Sequence, residues 1–301
     1  MPMRAAHNSP VDPEGGDQTN VRPSFGGWFD QHENEFDVVV LDIDGVLLLS
    51  KAALPGGREL IEKLREKNFP FSLLTNDGNH SIEEKCQYLK KCGIEIAAEE
   101  ITSCGHGLVE TADKFDLRGK LFLVMGELGD PCYAENAGLI VTRNIEELPK
   151  CAGVITGEEN YDWEPVINAV VNYFIANPSS PLVVPNPDEY FPAPNGEIKL
   201  AAGATARFIQ RALAVYGTKI EPIYLGKPYA PIFEHNHSAL QKRLKKSVEL
   251  KRVIMIGDSV DSDIRGANDF GYRSGLVLTG VTKLEMLKAG PVQPDFIFER
   301  L

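Results

Sequence analysis

The chain has 301 residues, of which 43% are hydrophobic and 25% are charged, and acidic residues outnumber basic residues by 43 to 31. This composition is ordinary for a globular protein and excludes collagen, a coiled coil and wholesale disorder. The formal net charge of −12 argues against a nucleic-acid partner, because such a partner calls for a basic surface.

Targeting and redox signals in the sequence favour a cytoplasmic protein. No apolar run approaches the roughly 18–20 residues of a membrane span, and the first twenty residues lack the apolar segment of a secretory signal. The five cysteines are odd in number and include no C-x-x-C pair, which favours reduced thiols. We therefore expect a cytoplasmic location and no membrane segment.

The chain begins with an irregular stretch and then becomes periodic. Residues 1–35 are rich in Pro, Gly, Asn and Asp, which predicts a flexible N-terminal arm whose Trp28 and Phe29 can pack onto the body. Residues 36–115 alternate apolar strands with amphipathic helices, a pattern that predicts βαβ units of a parallel sheet.

The middle of the chain interrupts this sheet. Residues 116–217 have strands and helices of their own, and about 100 residues is a normal size for one domain. Residues 218–301 return to short apolar strands and helices, beginning with a strand that leads into Lys227 and that we assign to the first sheet. The prediction is an α/β fold with a Rossmann-like parallel-sheet core, built from 36–115 and 218–301, and an inserted α/β cap domain.

Polar residues follow the predicted core strands at their carboxyl ends, where parallel α/β sheets bind ligands. They supply carboxylates, a hydroxyl, an amide and a lysine: Asp42 and Asp44, Thr75 and Asn76, Lys227, and Asp258 and Asp263. Because these strand ends meet at one edge of the sheet, we expect the side chains to form a single site.

The residue types in this set suit phosphate chemistry. Clustered carboxylates need a cation, and hard oxygen ligands suit Mg²⁺. A carboxylate about 3.5 Å from a phosphate oxygen is repelled by roughly 5 kcal/mol per charge pair at an effective dielectric near 20. A carboxylate nucleophile therefore needs a metal and a lysine to offset that repulsion, and Asp258 and Lys227 fit these roles.

Each feature also has a structural interpretation when it is taken alone. The Asp-x-Asp-Gly run at 42–45 fits a turn, and Thr75 fits the end of a strand. Lys227 fits a solvated surface lysine, and the acidic cluster after position 257 fits a helix N-cap. Their joint occurrence, in this order at four strand ends, favours a catalytic site.

The ordered motifs resemble those of the haloacid dehalogenase (HAD) superfamily of phosphohydrolases. They read LDIDGVL, LLTN, GKP and GDSVDSD, and the resemblance covers residues 36–301. It implies a Mg²⁺-dependent phosphatase that hydrolyses small phosphate monoesters through an aspartyl-phosphate. Asp42 is then the nucleophile and Asp44 the general acid/base, a residue that dehalogenases typically lack.

The same resemblance implies ligands for the phosphate and the metal. The implied phosphate ligands are Thr75, Asn76 and Lys227. The implied metal ligands are Asp42, the backbone carbonyl of Asp44, and Asp258, with Asp263 supporting them from the start of a helix.

Motif spacing indicates a subgroup of the superfamily. Only 33 residues separate Asp42 from Thr75, but 152 separate Thr75 from Lys227, so the cap lies between the second and third motifs. This arrangement resembles the type IIA cap group, which includes p-nitrophenyl, phosphoglycolate, pyridoxal-phosphate, and nucleotide or sugar phosphatases. The loop after Thr75 departs from the group's usual Thr-Asn-Asn-Ser, because Asp77 and a glycine replace the last two residues and His80 follows.

The proline-rich segment 185–194 of the cap is the candidate specificity element. Its prolines restrict the backbone, and Asp188 and Tyr190 offer hydrogen-bonding groups beside an aromatic ring. By the resemblance, this part of the cap lies over the active site, where both residues would meet the alcohol portion of the substrate. The alternative interpretation is a rigid surface turn that returns the chain to the core.

Two other functions stay open beside hydrolysis. A phosphoryl transferase of the same superfamily differs only in the acceptor that takes the phosphoryl group from Asp42. A receiver-like signalling domain also uses an Asp, a Thr and a Lys, but it is much shorter and has no such insertion.

The expected partner is a small phosphorylated metabolite, not a nucleic-acid polymer or a membrane. Members of this group often pair through their caps, so a homodimer is a further expectation.

Overall fold

The structure is a computed structural model that describes residues 22–49, 52–192, 197–287 and 290–301. Its strands are β1 (Val38–Leu41), β2 (Leu48–Leu49), β3 (Ala52–Ala53), β4 (Phe71–Thr75), β5 (Ile101–Ser103), β6 (Leu121–Met125), β7 (Ile140–Thr142), β8 (Gly153–Thr156), β9 (Leu182–Val184), β10 (Tyr190–Pro192), β11 (Ile198–Leu200), β12 (Ile223–Tyr224), β13 (Val253–Gly257), β14 (Arg273–Val277) and β15 (Phe296–Phe298). Its α-helices are α1 (Phe25–His32), α2 (Gly57–Glu66), α3 (Ile82–Lys91), α4 (Gly107–Lys114), α5 (Tyr133–Asn136), α6 (Trp163–Ala176), α7 (Ala202–Tyr216), α8 (Ala230–Leu244), α9 (Arg265–Phe270) and α10 (Leu284–Leu287). Within the described ranges, no helix is both long enough and apolar enough to cross a membrane.

The core of the molecule is a parallel sheet with the strand order β15-β14-β13-β1-β4-β5. Strands β1, β4 and β13 are buried along their whole length, and a strand buried on both faces needs an apolar run rather than an alternating pattern. Because β1 lies between β13 and β4, the residues that follow these three strands meet at one edge. The predicted Rossmann-like parallel core is confirmed.

The cap is a second parallel sheet with the strand order β12-β9-β8-β6-β7. Helices α6 and α7 bury apolar side chains in the same cluster as the cap strands, among them Val170, Phe174, Ile209 and Leu213. The predicted α/β cap is therefore present. Its boundaries at residues 116 and 217 stay a prediction.

One strand lies in a different sheet from the one that the sequence predicts. Ile223 and Tyr224 of β12 pair with Val183 and Val184 of β9 in the cap, so the prediction that the strand before Lys227 belongs to the core sheet is wrong. Strand β12 has two half-buried residues, and so short a strand carries no pattern that distinguishes one sheet from another.

Part of the predicted N-terminal arm packs against the core. Phe25, Trp28 and Phe29 on α1 are buried. The ring of Trp28 lies 4.7 Å from that of Phe296, and the ring of Phe25 lies 5.3 Å from that of Phe298, measured between centroids. Helix α1 thus covers the last core strand with aromatic side chains, while the first 21 residues of the predicted arm lie outside the described residues.

Candidate active site

Three neighbouring core strands bring the predicted residues together. Asp42 follows β1, Thr75 is the last residue of β4, and Asp258 follows β13. All three are buried, and the strands that carry them are adjacent in the order β13-β1-β4. The sheet therefore places two carboxylates and a hydroxyl side by side at its carboxyl edge.

Lys227 is a buried cation at the centre of this edge. Its Nζ lies 2.7 Å from Asp42 Oδ1 and 2.7 Å from Asp263 Oδ1, and it donates a hydrogen bond of 2.9 Å to the Leu74 carbonyl. Burial disfavours its charge, but Asp263 and Asp42 outweigh that effect and raise the pKa of Lys227 above its usual range. The lysine therefore stays protonated and holds the two carboxylates together.

The acidic residues form one compact cluster. Asp42, Asp258 and Asp263 each place a carboxylate oxygen within 4.8 Å of the others. Asp263 is oriented by the backbone N–H groups of Asp258 and Ser259, which donate to its Oδ2 at 3.1 and 3.0 Å. Asp258 Oδ2 accepts a hydrogen bond of 2.7 Å from the Val281 N–H.

The charge in this cluster exceeds what one lysine balances. Burial raises the pKa of Asp42 well above its usual range against the pull of Lys227. Burial and the neighbouring Asp263 raise the pKa of Asp258 to about 8. Three buried carboxylates that face one ammonium favour an additional cation, and an oxygen-only donor set suits a hard divalent ion.

A tight turn carries Asp44 next to the cluster. Gly45 has φ +83°, and a Cβ there would lie 2.3 Å from Asp258 Oδ2, so a glycine is required. The Asp44 side chain is exposed to solvent. The surrounding protein nevertheless reduces its hydration and, together with the charge of Asp77, raises the pKa of Asp44 to about 6.

Asn76 uses its side chain to connect protein segments. Its Oδ1 accepts the Lys227 N–H at 2.7 Å, and its Nδ2 lies 2.9 Å from the Lys227 carbonyl and 3.2 Å from Ser262 Oγ. The neighbouring Thr75 hydroxyl accepts the Asp77 N–H at 3.0 Å. The Asn76 amide thus holds the backbone of Lys227 in place, and its role as a phosphate ligand stays a prediction.

Asp77 and His80, the departures from the usual motif, belong to an ionic loop. Asp77 Oδ2 lies 2.9 Å from His80 Nδ1 and 3.5 Å from the buried Lys85 Nζ. Burial opposes the charge on Asp77, but Lys85 and His80 outweigh it and lower the pKa of Asp77 far below its usual range. The loop therefore brings a permanent negative charge close to Asp44.

The cap contributes Asp188 to the site but not Tyr190. Asp188 Oδ2 accepts a hydrogen bond of 3.0 Å from Asn76 Nδ2, which links the cap loop to the core. Tyr190 lies in the β10–β11 hairpin, paired with Leu200, and is 42% exposed. The predicted specificity element therefore divides into a residue that touches the site and one on the exposed hairpin.

Sequence reasoning missed Glu158, a buried carboxylate that follows β8 of the cap. Burial raises its pKa to about 7. A signal for it exists in the sequence, because Glu158 follows an apolar strand at its carboxyl end, as Asp42 and Asp258 do.

Two family models match this chain, and each includes one part of the core. The model described as haloacid dehalogenase-like hydrolase matches residues 39–140, which contain the first two motifs. The model described as HAD-hydrolase-like matches residues 224–301, which contain the other two.

Proteins similar to this chain match through both the core and the cap. The chain is 28% identical over 265 residues to dihydroxyacetone phosphatase from Corynebacterium glutamicum, a match that covers 86% of this chain and 87% of that protein. It is also 28% identical over 266 residues to the ribonucleotide monophosphatase NagD from Escherichia coli, with 86% and 94% covered.

Solved structures share the fold. A hypothetical protein from Pyrococcus horikoshii aligns with a TM-score of 0.73 and 28% identity, covering 87% of this chain and 96% of that one. A glycerol phosphate phosphatase from Mycobacterium tuberculosis, in complex with magnesium, aligns with a TM-score of 0.72 and 21% identity, covering 89% and 76%. The motifs, the core and the cap all indicate the same family. This chain belongs to the haloacid dehalogenase-like hydrolases, in the group of NagD and the p-nitrophenyl phosphatases.

Proposed function

We propose that this chain is a phosphatase that hydrolyses small phosphate monoesters through an aspartyl-phosphate on Asp42. The observation that carries the proposal is the contact of 2.7 Å between Asp42 and the buried Lys227. A buried ammonium beside a carboxylate offsets the repulsion between that carboxylate and an incoming phosphate. Family membership and the phosphatase names of the similar proteins support the same reaction class.

The first half of the reaction is a displacement at phosphorus. A carboxylate oxygen of Asp42 forms the new bond to phosphorus, and the bond between phosphorus and the alcohol oxygen breaks. Asp44 donates its proton to that departing oxygen. Its raised pKa of about 6 supports this role, because a larger fraction of the carboxyl is protonated near neutral pH than for an ordinary aspartate.

The second half regenerates the enzyme. Asp44, now ionised, takes a proton from a water molecule whose oxygen attacks phosphorus. The bond between phosphorus and the Asp42 oxygen breaks, and inorganic phosphate leaves. Lys227 stays positively charged in both halves and stabilises the negative charge on the transferring group.

The donor set fits a bound Mg²⁺. Asp42, Asp258 and the backbone carbonyl of Asp44 would hold the ion, because the oxygens of Asp263 already face Lys227 and two backbone N–H groups. When bound, the ion would neutralise charge on the phosphate. The similar phosphatase from M. tuberculosis is in complex with magnesium, which supports this choice.

The cap favours a substrate with hydroxyl groups. Asp188 is half-buried beside Asn76, and a carboxylate has acceptor sites beyond the one that Asn76 uses. A hydroxyl donor on the alcohol portion would satisfy it. The names of the similar proteins, dihydroxyacetone phosphatase and ribonucleotide monophosphatase, belong to enzymes of hydroxylated phosphate esters and support this class. Pairing through the cap stays a prediction.

The test is a panel of phosphate monoesters assayed with Mg²⁺, with and without a chelator. Wild-type protein should release phosphate, and excess chelator should stop the release. Asp42→Asn should abolish turnover, because an amide is a far poorer nucleophile. Rapid quenching of the wild type should trap a phosphoryl group on Asp42. Wild-type turnover by Asp42→Asn would refute the mechanism, and phosphoryl transfer to an added alcohol in place of water would identify a transferase.

A further inference from the structure

Glu158 is a buried carboxylate in the cap that the proposed reaction does not use. Its Oε1 accepts hydrogen bonds from Asn186 Nδ2 at 2.6 Å and from the Ala202 N–H at 3.2 Å. Its Oε2 accepts a hydrogen bond of 2.9 Å from Asn79 Nδ2. One carboxylate thus joins the loop after β4 of the core, the loop after β9 of the cap and the first residue of α7.

These hydrogen bonds belong to a ring that joins the cap to the core. Asn186 Oδ1 accepts the Asp188 N–H at 2.9 Å, and Asp188 Oδ2 accepts the Asn76 Nδ2 at 3.0 Å. Asn76 and Asn79 lie in the same core loop, and Glu158 closes the ring through Asn79 and Asn186. The cap loop that carries Asp188 is therefore linked to the core directly, through Asn76, and indirectly, through Glu158 and Asn79.

The orientation of Asn79 depends on this carboxylate. Asn79 Oδ1 is buried and has no hydrogen-bond partner among the described residues. The contact to Glu158 is therefore what fixes the Asn79 amide. The Asn79 carbonyl in turn accepts the N–H of Gly129 in the cap at 3.1 Å.

A glutamate that only filled space at position 158 would destabilise the fold, because burial disfavours its charged form. It is 7% exposed, and none of the ion pairs among the described residues includes it. Burial raises its pKa to about 7 and the charges of Asp77 and Asp188 act in the same direction, whereas Ala202 and Asn186 oppose them. An apolar side chain would fill the space without that penalty, so the acceptor oxygens are what the carboxylate adds.

We propose that Glu158 is a positioning residue that holds Asp188 in place over Asn76. It acts through Asn186, which it orients, and through Asn79, which connects it to the core. The inference rests on the proposed function, because Asp188 is the residue expected to meet the alcohol portion of the substrate. Loss of Glu158 should therefore affect esters with hydroxyl groups more than p-nitrophenyl phosphate.

The kinetic test exchanges donor and acceptor between two residues. Glu158→Gln keeps an acceptor for Asn186 but presents an amide N–H₂ to the N–H₂ of Asn79. Adding Asn79→Asp restores one donor and one acceptor and keeps the total charge of the wild type. Glu158→Gln should lower kcat/KM for glycerol phosphate on the order of tenfold, mainly through KM, because a small displacement of a binding group is costly. The double variant should recover most of the lost kcat/KM.

The matched control is Glu159→Gln, at the adjacent position. Glu159 is exposed and pairs with Lys199 at 2.8 Å on the surface, so its removal should leave the kinetics unchanged. Should Glu158→Gln fail to fold, Asn186→Ala removes the same link without a change of charge and should give the same loss. Wild-type kinetics in Glu158→Gln or Asn186→Ala, or a double variant no better than Glu158→Gln, would overturn the proposal.

Amide hydrogen exchange separates this inference from the proposed function. Without any substrate, exchange of the Asp188 N–H, which donates to Asn186 Oδ1, should be faster in Glu158→Gln than in the wild type and slower again in the double variant. This result in a protein that hydrolyses no phosphate ester would reject the proposed function and leave the positioning role in place. Unchanged exchange in an active phosphatase would reject the positioning role alone.

Discussion

The Lys227 ammonium lies 2.7 Å from the Asp42 carboxylate, although Lys227 follows a strand of the cap sheet and Asp42 follows a strand of the core sheet. The contact therefore joins the two sheets as well as the two charges. Asn76 strengthens it by binding both the N–H and the carbonyl of Lys227. The geometry of the site thus depends on how the chain leaves the cap.

Removing the lysine should destabilise the fold. Lys227→Met leaves Asp42 and Asp263 buried without their cation, and breaking a buried ion pair from one side costs about 3–5 kcal/mol. Urea unfolding without added metal should show this decrease in unfolding free energy. Lys199→Met breaks an exposed pair and should cost less than about 1 kcal/mol. Equal effects of the two substitutions would show that the buried pair does not support the fold.

Gly45→Ala should disturb the proposed metal site, whereas Gly119→Ala should cause backbone strain alone. Both glycines have a positive φ, +83° and +72°, and a non-glycine residue there costs about 1–2 kcal/mol. A Cβ at Gly45 also meets Asp258, while a Cβ at Gly119 meets nothing within 4 Å. The magnesium concentration for half-maximal phosphatase activity should therefore rise in Gly45→Ala and stay unchanged in Gly119→Ala. The same magnesium dependence in both variants would contradict the close approach to Asp258.

The unfolding free energy should decrease with rising pH because of Glu158. Its pKa rises from 4.5 to about 7 on folding, so between these pH values the folded chain holds a proton that the unfolded chain has lost. The stabilisation is complete below pH 4.5 and is lost as the pH rises through about 7, a decrease on the order of 3 kcal/mol. Glu158→Gln does not titrate, so urea unfolding across this pH range should show the wild type losing more stability than the variant. If the unfolding free energies of the two proteins changed in parallel with pH, a buried ionisable Glu158 would be contradicted. Glu159→Gln is the control, and its unfolding free energy should follow that of the wild type.

Asp188 and Tyr190 should differ in their effect on specificity. Asp188→Ala should lower kcat/KM for a hydroxylated phosphate ester roughly 5- to 150-fold, the effect of losing about 1–3 kcal/mol of a buried polar contact. It should leave p-nitrophenyl phosphate, which has no hydroxyl, nearly unchanged. Tyr190→Phe should change neither, because Tyr190 lies on the exposed hairpin. A uniform loss on both substrates in Asp188→Ala would assign Asp188 to folding or closure, and a loss in Tyr190→Phe would return the hairpin to the site.

The core sheet, and the edge at which its polar residues meet, could be predicted from the amino-acid pattern. Strands β1, β4 and β13 are continuous apolar runs because they are buried on both faces. Such a run can be recognised from a few neighbouring residues of the sequence. Asp42, Thr75 and Asp258 could be placed together because parallel strands put their carboxyl ends on one edge. The arrangement of these residues therefore followed from pattern and topology without any knowledge of side-chain contacts.

Contacts between segments that are distant in the chain could not be predicted, because they form only when the two sheets pack. Strand β12 pairs with the cap because two half-buried residues carry no preference of their own. Asn76 connects Lys227 to Asp188 through hydrogen bonds between residues at least 112 positions apart in the chain. Glu158 connects Asn79 to Asn186 through hydrogen bonds between residues at least 28 positions apart. Apolar periodicity reports which face of an element is buried, but a hydrogen bond also requires a partner whose position is set only when both sheets have packed.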